Sequence, residues 1–200
     1  MVEAWRSSQR MIFAMFRTVA LLILVPACIS RPPECESKVE NARLLIRLLS
    51  EGRGDDYMTE RVYGALLELG GCIDLAYRDV LASEVKVERQ FLLLKLGEDL
   101  VGRGVILDSS LHECLAIAID SAASVEYLDQ EVWSFASGLG AQILARRRKP
   151  VEASDLVPFV DRPNDPFVER VIQDVTVKAN RLMKRQDWLD GQEAASQKTK

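Results

Sequence analysis

The chain has 200 residues, of which 48% are hydrophobic and 28% are charged, which is enough apolar material for one buried core and too much for a disordered chain. Its 26 lysines and arginines stand against 30 acidic residues, a net charge of −4, which excludes a basic nucleic-acid-binding protein. One histidine and four cysteines leave few side chains for metal or nucleophilic chemistry, so we expect no metal and no cofactor.

The N-terminal segment carries the longest apolar run, which extends unbroken from Val19 to Ala27. Positive charge before this run comes from Arg6, Arg10 and Arg17. A positive region, an apolar helix of roughly 7 to 15 residues and a small residue at the cleavage point are the three parts of an export signal. The pattern therefore predicts a signal segment over residues 1–27, cleaved after Ala27.

Cys28 follows this cleavage point directly. Together with Leu24, Val25 and Ala27 it resembles the lipobox of bacterial lipoproteins, in which the cysteine after the small residue is lipidated and becomes the mature N-terminus. The resemblance implies that Cys28 is the lipidation site and that a lipid holds the protein at a membrane of the cell envelope. Secretion after ordinary cleavage at Ala27 is the alternative.

Other interpretations of this segment stay open. An uncleaved single-pass anchor needs about 20 apolar residues, and the stretch from Met11 to Ile29 has nearly that length but is interrupted by Arg17 and Pro26. Arginines on one helical face favour a mitochondrial presequence, although the long apolar run does not. A buried N-terminal helix of a cytosolic protein is the third alternative. The start codon also stays open between Met1, Met11 and Met15.

The fate of Cys28 decides how many thiols remain for disulfides. Without lipidation the mature chain keeps an even set with three possible pairings, whereas lipidation leaves three thiols and at most one disulfide. The set is Cys28, Cys35, Cys72 and Cys114. Cys114 lies in an apolar helical stripe and is expected to be a free buried thiol. Removing residues 1–28 takes away three arginines and one glutamate, so the mature chain is more acidic.

After the stiff Arg31-Pro32-Pro33 segment, apolar residues recur with a period near 3.6. This periodicity predicts an all-α fold of about six to seven helices, arranged as a bundle or a short α-solenoid. We expect residues 28–36 to form a linker, residues 37–190 a single α-helical domain, and residues 191–200 a frayed polar tail.

The first part of the domain predicts four amphipathic helices. Ser37 and Glu40 form a capping box at the start of the first helix, while Gly70 ends the second and Gly97 the fourth. The expected buried stripes are Val39, Ala42, Leu45, Ile46 and Leu49; Met58, Val62, Ala65, Leu66 and Leu69; Ile73, Ala76, Val80 and Leu81; and Val87, Phe91, Leu93, Leu94 and Leu96.

The second part predicts three more helices. Ser110 and Glu113 are expected to form a capping box, Ser124 to cap the next helix, and Pro166 to begin the last one without losing a hydrogen bond. The expected buried stripes are Leu111, Cys114, Leu115, Ala118, Ile119 and Ala122; Leu128, Val132, Phe135, Ala136, Leu139, Ile143 and Leu144; and Phe167, Val171, Ile172, Val175, Ala179, Leu182 and Met183. The β-branched run between Val171 and Val177 leaves a strand open.

Three Leu-Gly pairs recur along the domain, at Leu69-Gly70, Leu96-Gly97 and Leu139-Gly140. With helices and a charged turn between the first two pairs, the segment resembles a short HEAT-type repeat. The resemblance implies stacked helix pairs that share one continuous core. A general α-helical domain is the alternative, because Leu-Gly is also a common helix ending.

Few residues suggest chemistry. His112 and Cys114 are two positions apart, so on a helix their side chains point about 200° from each other, which is poor geometry for one metal ion. The sequence has no nucleophile elbow and no glycine-rich phosphate loop. A carboxylate acid–base pair leaves no sequence signature, since its members need only be adjacent in space. An envelope enzyme therefore stays an alternative.

The most concentrated charge precedes Pro150 and consists of Arg146, Arg147, Arg148 and Lys149. It is either a docking patch for a protein partner or a set of cations that offset the negative end of the preceding helix dipole. Taken together, these features predict an exported, lipid-anchored helical protein that acts as a binding or scaffolding module in the bacterial cell envelope. The alternatives are an envelope enzyme and a single-pass anchored interaction protein.

Overall fold

The computed structural model describes the backbone of residues 33–51 and 56–198. Eight α-helices make up about 80% of these residues, and no strand occurs among them, which confirms the all-α prediction. The helices are α1 (Pro33–Ser50), α2 (Asp56–Leu67), α3 (Cys72–Ser83), α4 (Val87–Gly102), α5 (Leu111–Ala122), α6 (Tyr127–Ala145), α7 (Ala153–Leu156) and α8 (Pro166–Lys198). The signal segment and Cys28 lie outside the described residues.

The described residues from Cys35 onward belong to one compact unit. Its centre is α6, which packs against α4, α5 and α8. The core is formed by the apolar stripes of all the long helices, and most predicted stripe positions are buried or packed against it. Within the described ranges, no helix combines the length and the apolar content that crossing a membrane requires.

The first and last helices have boundaries that differ from the expected ones. Helix α1 begins at Pro33, within the segment expected to be a linker, so Ser37 lies inside the helix rather than at its start. A proline at the first helical position needs no hydrogen-bond partner for its nitrogen, which suits this beginning. Helix α8 continues as far as Lys198, through most of the segment expected to be a tail. The run from Val171 to Val177 is helical.

The capping box expected at Ser110 does not form. Ser110 lies at the end of a 3-10 turn with φ −91° and ψ −2°, whereas a capping side chain needs extended backbone at its residue. Ser110 Oγ and Glu113 Oε2 are both buried without a hydrogen-bond partner. A capping box forms instead at the start of the short helix α7, between Glu152 and Asp155. Ser124 accepts a hydrogen bond from the amide of Glu126 and is not the N-cap of α6.

The buried face of α2 agrees with the predicted stripe at Leu66 and Leu69 and differs from it elsewhere. Tyr63 and Leu66 are buried, whereas Met58 and Ala65 are exposed. Tyr63 donates a hydrogen bond to Asp99 at 3.2 Å, and α4 thereby fixes which side of α2 faces inward. At the other end of the chain, Phe167 and Leu182 are partly exposed because the core covers only the Val168–Ala179 part of α8.

Gly97 lies inside α4 and does not end the helix as predicted. A Cβ at this position would be 2.3 Å from Tyr77 Oη and 2.6 Å from Leu139 Cδ2, so glycine is required for α3 and α6 to approach α4 this closely. Tyr77 is fully buried and donates a hydrogen bond of 2.8 Å to the carbonyl of Leu93. Three helices therefore meet at one glycine.

The three Leu-Gly pairs do not occupy equivalent places. Gly70 follows α2 with a φ of +56°, a conformation that glycine adopts without strain, whereas Gly97 and Gly140 are interior positions of α4 and α6. The first glycine thus serves a turn and Gly97 serves packing, whereas a Cβ at Gly140 would make only ordinary contacts of 3.7 Å or more. The resemblance to HEAT-type repeats stays a prediction.

We predict that Gly97→Ala lowers the free energy of unfolding by about 1 to 3 kcal/mol, because the added methyl group overpacks the contact with Tyr77. Gly64→Ala is the matched control, since Gly64 lies on the exposed side of α2 and a Cβ there meets nothing within 4 Å. Gly64→Ala should raise the free energy of unfolding by about 0.5 to 1 kcal/mol, because alanine favours the helix more than glycine does. Urea denaturation followed by circular dichroism measures both, and equal effects of the two substitutions would contradict the packing described.

Candidate functional site

The four basic residues expected to form a docking patch lie where α6 ends. Arg146 donates hydrogen bonds to the carbonyls of Val101 and Val105, the latter at 3.0 Å, and thus caps the end of α4. The other contacts are ion pairs of Arg147 with Asp108 at 3.6 Å and of Arg148 with Asp190 at 3.1 Å. Lys149 is exposed, and no ion pair of its side chain is found within the described part of the chain.

Three of these four side chains therefore have partners within the protein. Arg148 has a φ of +51°, which is uncommon for a residue with a side chain and marks the point where the chain turns away from α6. These contacts favour the structural interpretation of the cluster, in which the cations satisfy and offset helix ends. A role in docking a partner stays a prediction.

His112 and Cys114 point in different directions, as their spacing predicts. His112 is exposed and its Nδ1 lies 2.9 Å from the carbonyl oxygen of Phe159. Cys114 is fully buried, and burial raises the pKa of its thiol, so it is not a reactive thiolate. Cys114 is a free cysteine. Among the described residues, no group of three or more His, Cys, Asp or Glu side chains could hold a metal ion.

A polar seam joins α4, α6 and α8; we use this name for Glu98, Gln142, Ser137, Asp174 and Lys178. Gln142 donates a hydrogen bond of 3.2 Å to Glu98. Lys178 donates to Ser137 at 2.8 Å and forms an ion pair with Asp174 at 2.8 Å. These bonds satisfy polar groups at an otherwise apolar helix interface.

Glu98 is the glutamate whose environment favours its neutral form. Burial, and next the neighbouring Asp99 carboxylate, raise the pKa of Glu98 above its usual value, while Lys178 and Lys95 act in the opposite direction. A carboxyl group whose pKa is raised is a candidate for a general acid. Glu98, however, is bonded to Gln142 at the helix interface and does not line the cleft described below.

A cleft with a volume of about 590 Å³ opens between the C-terminal halves of α1 and α3 and the N-terminal half of α4. Its polar lining consists of Arg47, Ser50, Glu51, Ser83, Glu84 and Arg89. Its apolar lining consists of Val80, Leu92 and Leu93. Val80 and Leu93 belong to the buried core, and 42% of Leu92 is exposed.

The two arginines of the cleft are held less firmly than arginines in hydrogen-bonded ion pairs, such as Arg43 with Asp79. Arg47 is exposed, and none of the ion pairs in the described residues involves its side chain. Arg89 lies 3.7 Å from Glu84, which is longer than a hydrogen bond. Glu84 itself accepts a hydrogen bond of 3.0 Å from the amide of Lys86. The cleft thus presents two guanidinium groups beside an apolar floor.

Sequence reasoning missed this cleft because its lining comes from three helices. Each residue taken alone is an ordinary member of an amphipathic helix, with arginine and glutamate on the exposed side. No local spacing connects Arg47 with Arg89, which are brought together only by the packing of α1 against α3 and α4. The chain has no match among protein-family models, curated proteins or solved structures.

We predict that Arg146→Ala lowers the free energy of unfolding by about 1 to 2 kcal/mol, because it removes the side-chain donor to the carbonyl of Val105 and one donor to the carbonyl of Val101, which also accepts the amide of Gly104. Lys149→Ala removes the same charge from the same cluster and should change the free energy of unfolding by less than about 0.5 kcal/mol. Chemical denaturation of both variants checks this. A docking patch without a structural role would give equally small effects for both.

We predict that Glu98→Gln stabilises the protein more at pH 7 than at pH 4. The pKa of Glu98 is higher in the folded protein, so its protonated form contributes stability that is fully present below the unfolded-state pKa and is lost as the pH rises through the folded-state pKa. Glutamine keeps the acceptor for Gln142 but cannot ionise. Urea denaturation at both pH values measures the difference, and a benefit confined to pH 4 would reverse the assigned shift.

Proposed function

We propose that this chain is an exported, lipid-anchored α-helical protein that acts as a binding or scaffolding module at the bacterial cell envelope, with Cys28 as the lipidation site. The observation that carries the proposal is the apolar run from Val19 to Ala27, which follows a basic region and ends directly before this cysteine. The mature protein then begins at Cys28 and binds through its helical domain.

The length of chain between Cys28 and the domain has a consequence for this proposal. Helix α1 begins at Pro33, and five residues of extended chain span at most about 17 Å. A lipid on Cys28 would therefore hold the start of α1 close to the membrane surface. Partners of such a module are other envelope components within short reach, and not components that need a long tether.

A binding role is favoured over catalysis by the separation of two features. The carboxyl with a raised pKa, Glu98, belongs to the polar seam, whereas the accessible cleft is lined by other residues. An acid–base site needs the shifted carboxyl to face the substrate. A cleft with charged walls and an apolar floor is sufficient for binding.

Labelling with a radioactive fatty acid tests the lipid anchor. We predict that the wild-type protein and Cys35→Ala incorporate the label in a bacterial host and that Cys28→Ala does not. Cys35→Ala is the matched control because it removes a nearby thiol and leaves the lipobox-like segment unchanged. Label that persists in Cys28→Ala would end the lipoprotein assignment.

The intact mass of the protein isolated from both the cells and the culture medium separates the remaining alternatives for the N-terminus. A lipoprotein begins at Cys28 and carries acyl groups, a secreted protein also begins at Cys28 but carries none, and a single-pass protein retains residues 1–28. The proposal predicts the first of these masses. Either of the other two contradicts it.

A further inference from the structure

We propose that the cleft between α1, α3 and α4 binds a small organic anion, which places a phosphate or carboxylate group between Arg47 and Arg89 and an apolar body against the floor of the cleft. This assigns a ligand site and a ligand class to the helical domain. The inference goes beyond the proposed function and does not depend on whether Cys28 is lipidated.

The first step is the availability of the arginines. A guanidinium group recognises phosphate and carboxylate oxygens through paired hydrogen bonds. Arg47 has no ion pair within the described residues, and Arg89 has only the 3.7 Å contact with Glu84. By contrast, Arg43 and Arg103 form hydrogen-bonded ion pairs with Asp79 and Glu60. Arg47 and Arg89 are therefore more available to a ligand than these two arginines.

Two serine hydroxyl groups line the cleft together with the two arginines. Ser50 donates its proton to the carbonyl of Arg47, and Ser83 donates its proton to the carbonyl of Val80, both at 2.9 Å. Both hydroxyl protons are therefore used within their own helices. The hydrogens that remain for an anionic group come from the two arginines, so these residues set the affinity.

The acidic residues of the cleft limit the class of ligand. Among the described lining residues, Glu51 and Glu84 equal the two arginines in number, so these residues supply no net charge that would attract anions over a long range. One oxygen of Glu84 is already bonded to the amide of Lys86, which holds this carboxylate at the wall. Recognition consequently depends on short contacts with the guanidinium groups and on the rest of the ligand.

The floor supplies the second contact surface. Val80 and Leu93 are buried side chains that face the cleft from the core, and Leu92 is partly exposed beside them. Small-molecule sites combine an apolar surface with a few polar groups in volumes of roughly 300 to 1,000 Å³. At about 590 Å³ the cleft accommodates an organic anion with one or two rings.

Isothermal titration calorimetry of the full-length protein in detergent tests the site with 2-naphthyl phosphate as the probe. We expect saturable binding that is tighter than that of inorganic phosphate, which lacks the apolar body, or of 2-naphthol, which lacks the anion. Arg47→Gln should weaken the binding roughly tenfold or more, because it removes a charge-assisted contact. Each variant is titrated in the same detergent, so that partition of the probe into micelles cancels.

Two matched controls separate the cleft from general surface effects. Arg61→Gln removes an exposed arginine of α2 that lies over Tyr57 outside the cleft, and it should change the affinity less than twofold. Leu92→Asn should weaken the binding severalfold, whereas Leu44→Asn, at a similarly exposed leucine outside the cleft, should not. The positions are exposed or partly exposed, so all four variants fold. Absence of saturable binding, or equal affinities for Arg47→Gln and Arg61→Gln, overturns the proposal.

Discussion

Tyr77 reaches α4 at Gly97, an interior position where that helix has no side chain to meet it. Its hydroxyl donates to the carbonyl of Leu93, one helical turn before Gly97, and its ring lies over this glycine together with Leu139 of α6. Burial raises the pKa of Tyr77 well above its usual value, so the phenol stays protonated and remains a donor. The spacing of α3, α4 and α6 depends on this contact, since a larger residue at position 97 would push the three helices apart.

The same contact determines the shape of the cleft. Val80 is one turn beyond Tyr77 on α3, and Leu93 supplies both the carbonyl that accepts the hydrogen bond and a side chain of the cleft floor. Helix α1 is held over this floor by its buried residues Val39, Ala42 and Ile46 and by the ion pair of Arg43 with Asp79. Burial alone would raise the pKa of Asp79, but hydrogen bonds from Arg43 and Arg78 lower it overall. The cleft thus lies between an apolar core and a helix attached partly by charge.

Much of the fold could be predicted from the sequence because amphipathic helices carry their own period. The spacing of apolar residues predicts the buried stripes of α3, α5 and α6. Tyr77 fits the same stripe as Ile73 and Val80. The errors concern residues whose meaning depends on distant partners. Gly97 after Leu96 has the local pattern of a helix end, and only Tyr77 and Leu139 explain why it lies in a helix interior. The sequence leaves Arg146 either to a docking patch or to the dipole of its own helix, whereas its bonds go to carbonyls at the end of α4. The cleft joins three helices and has no local signature.

The most direct test of this account is the contact between Tyr77 and Gly97 in solution. A nuclear Overhauser measurement on the labelled protein should show strong cross-peaks from the Tyr77 ring protons to the α-protons of Gly97 and to a methyl group of Leu139, because these groups are in contact in the core. It should also show a slowly exchanging Tyr77 hydroxyl proton, since that proton is buried and hydrogen-bonded. The packing of α3, α4 and α6 would be contradicted if the Tyr77 ring showed no cross-peaks to Gly97. It would also be contradicted if the Tyr77 hydroxyl proton exchanged rapidly with water.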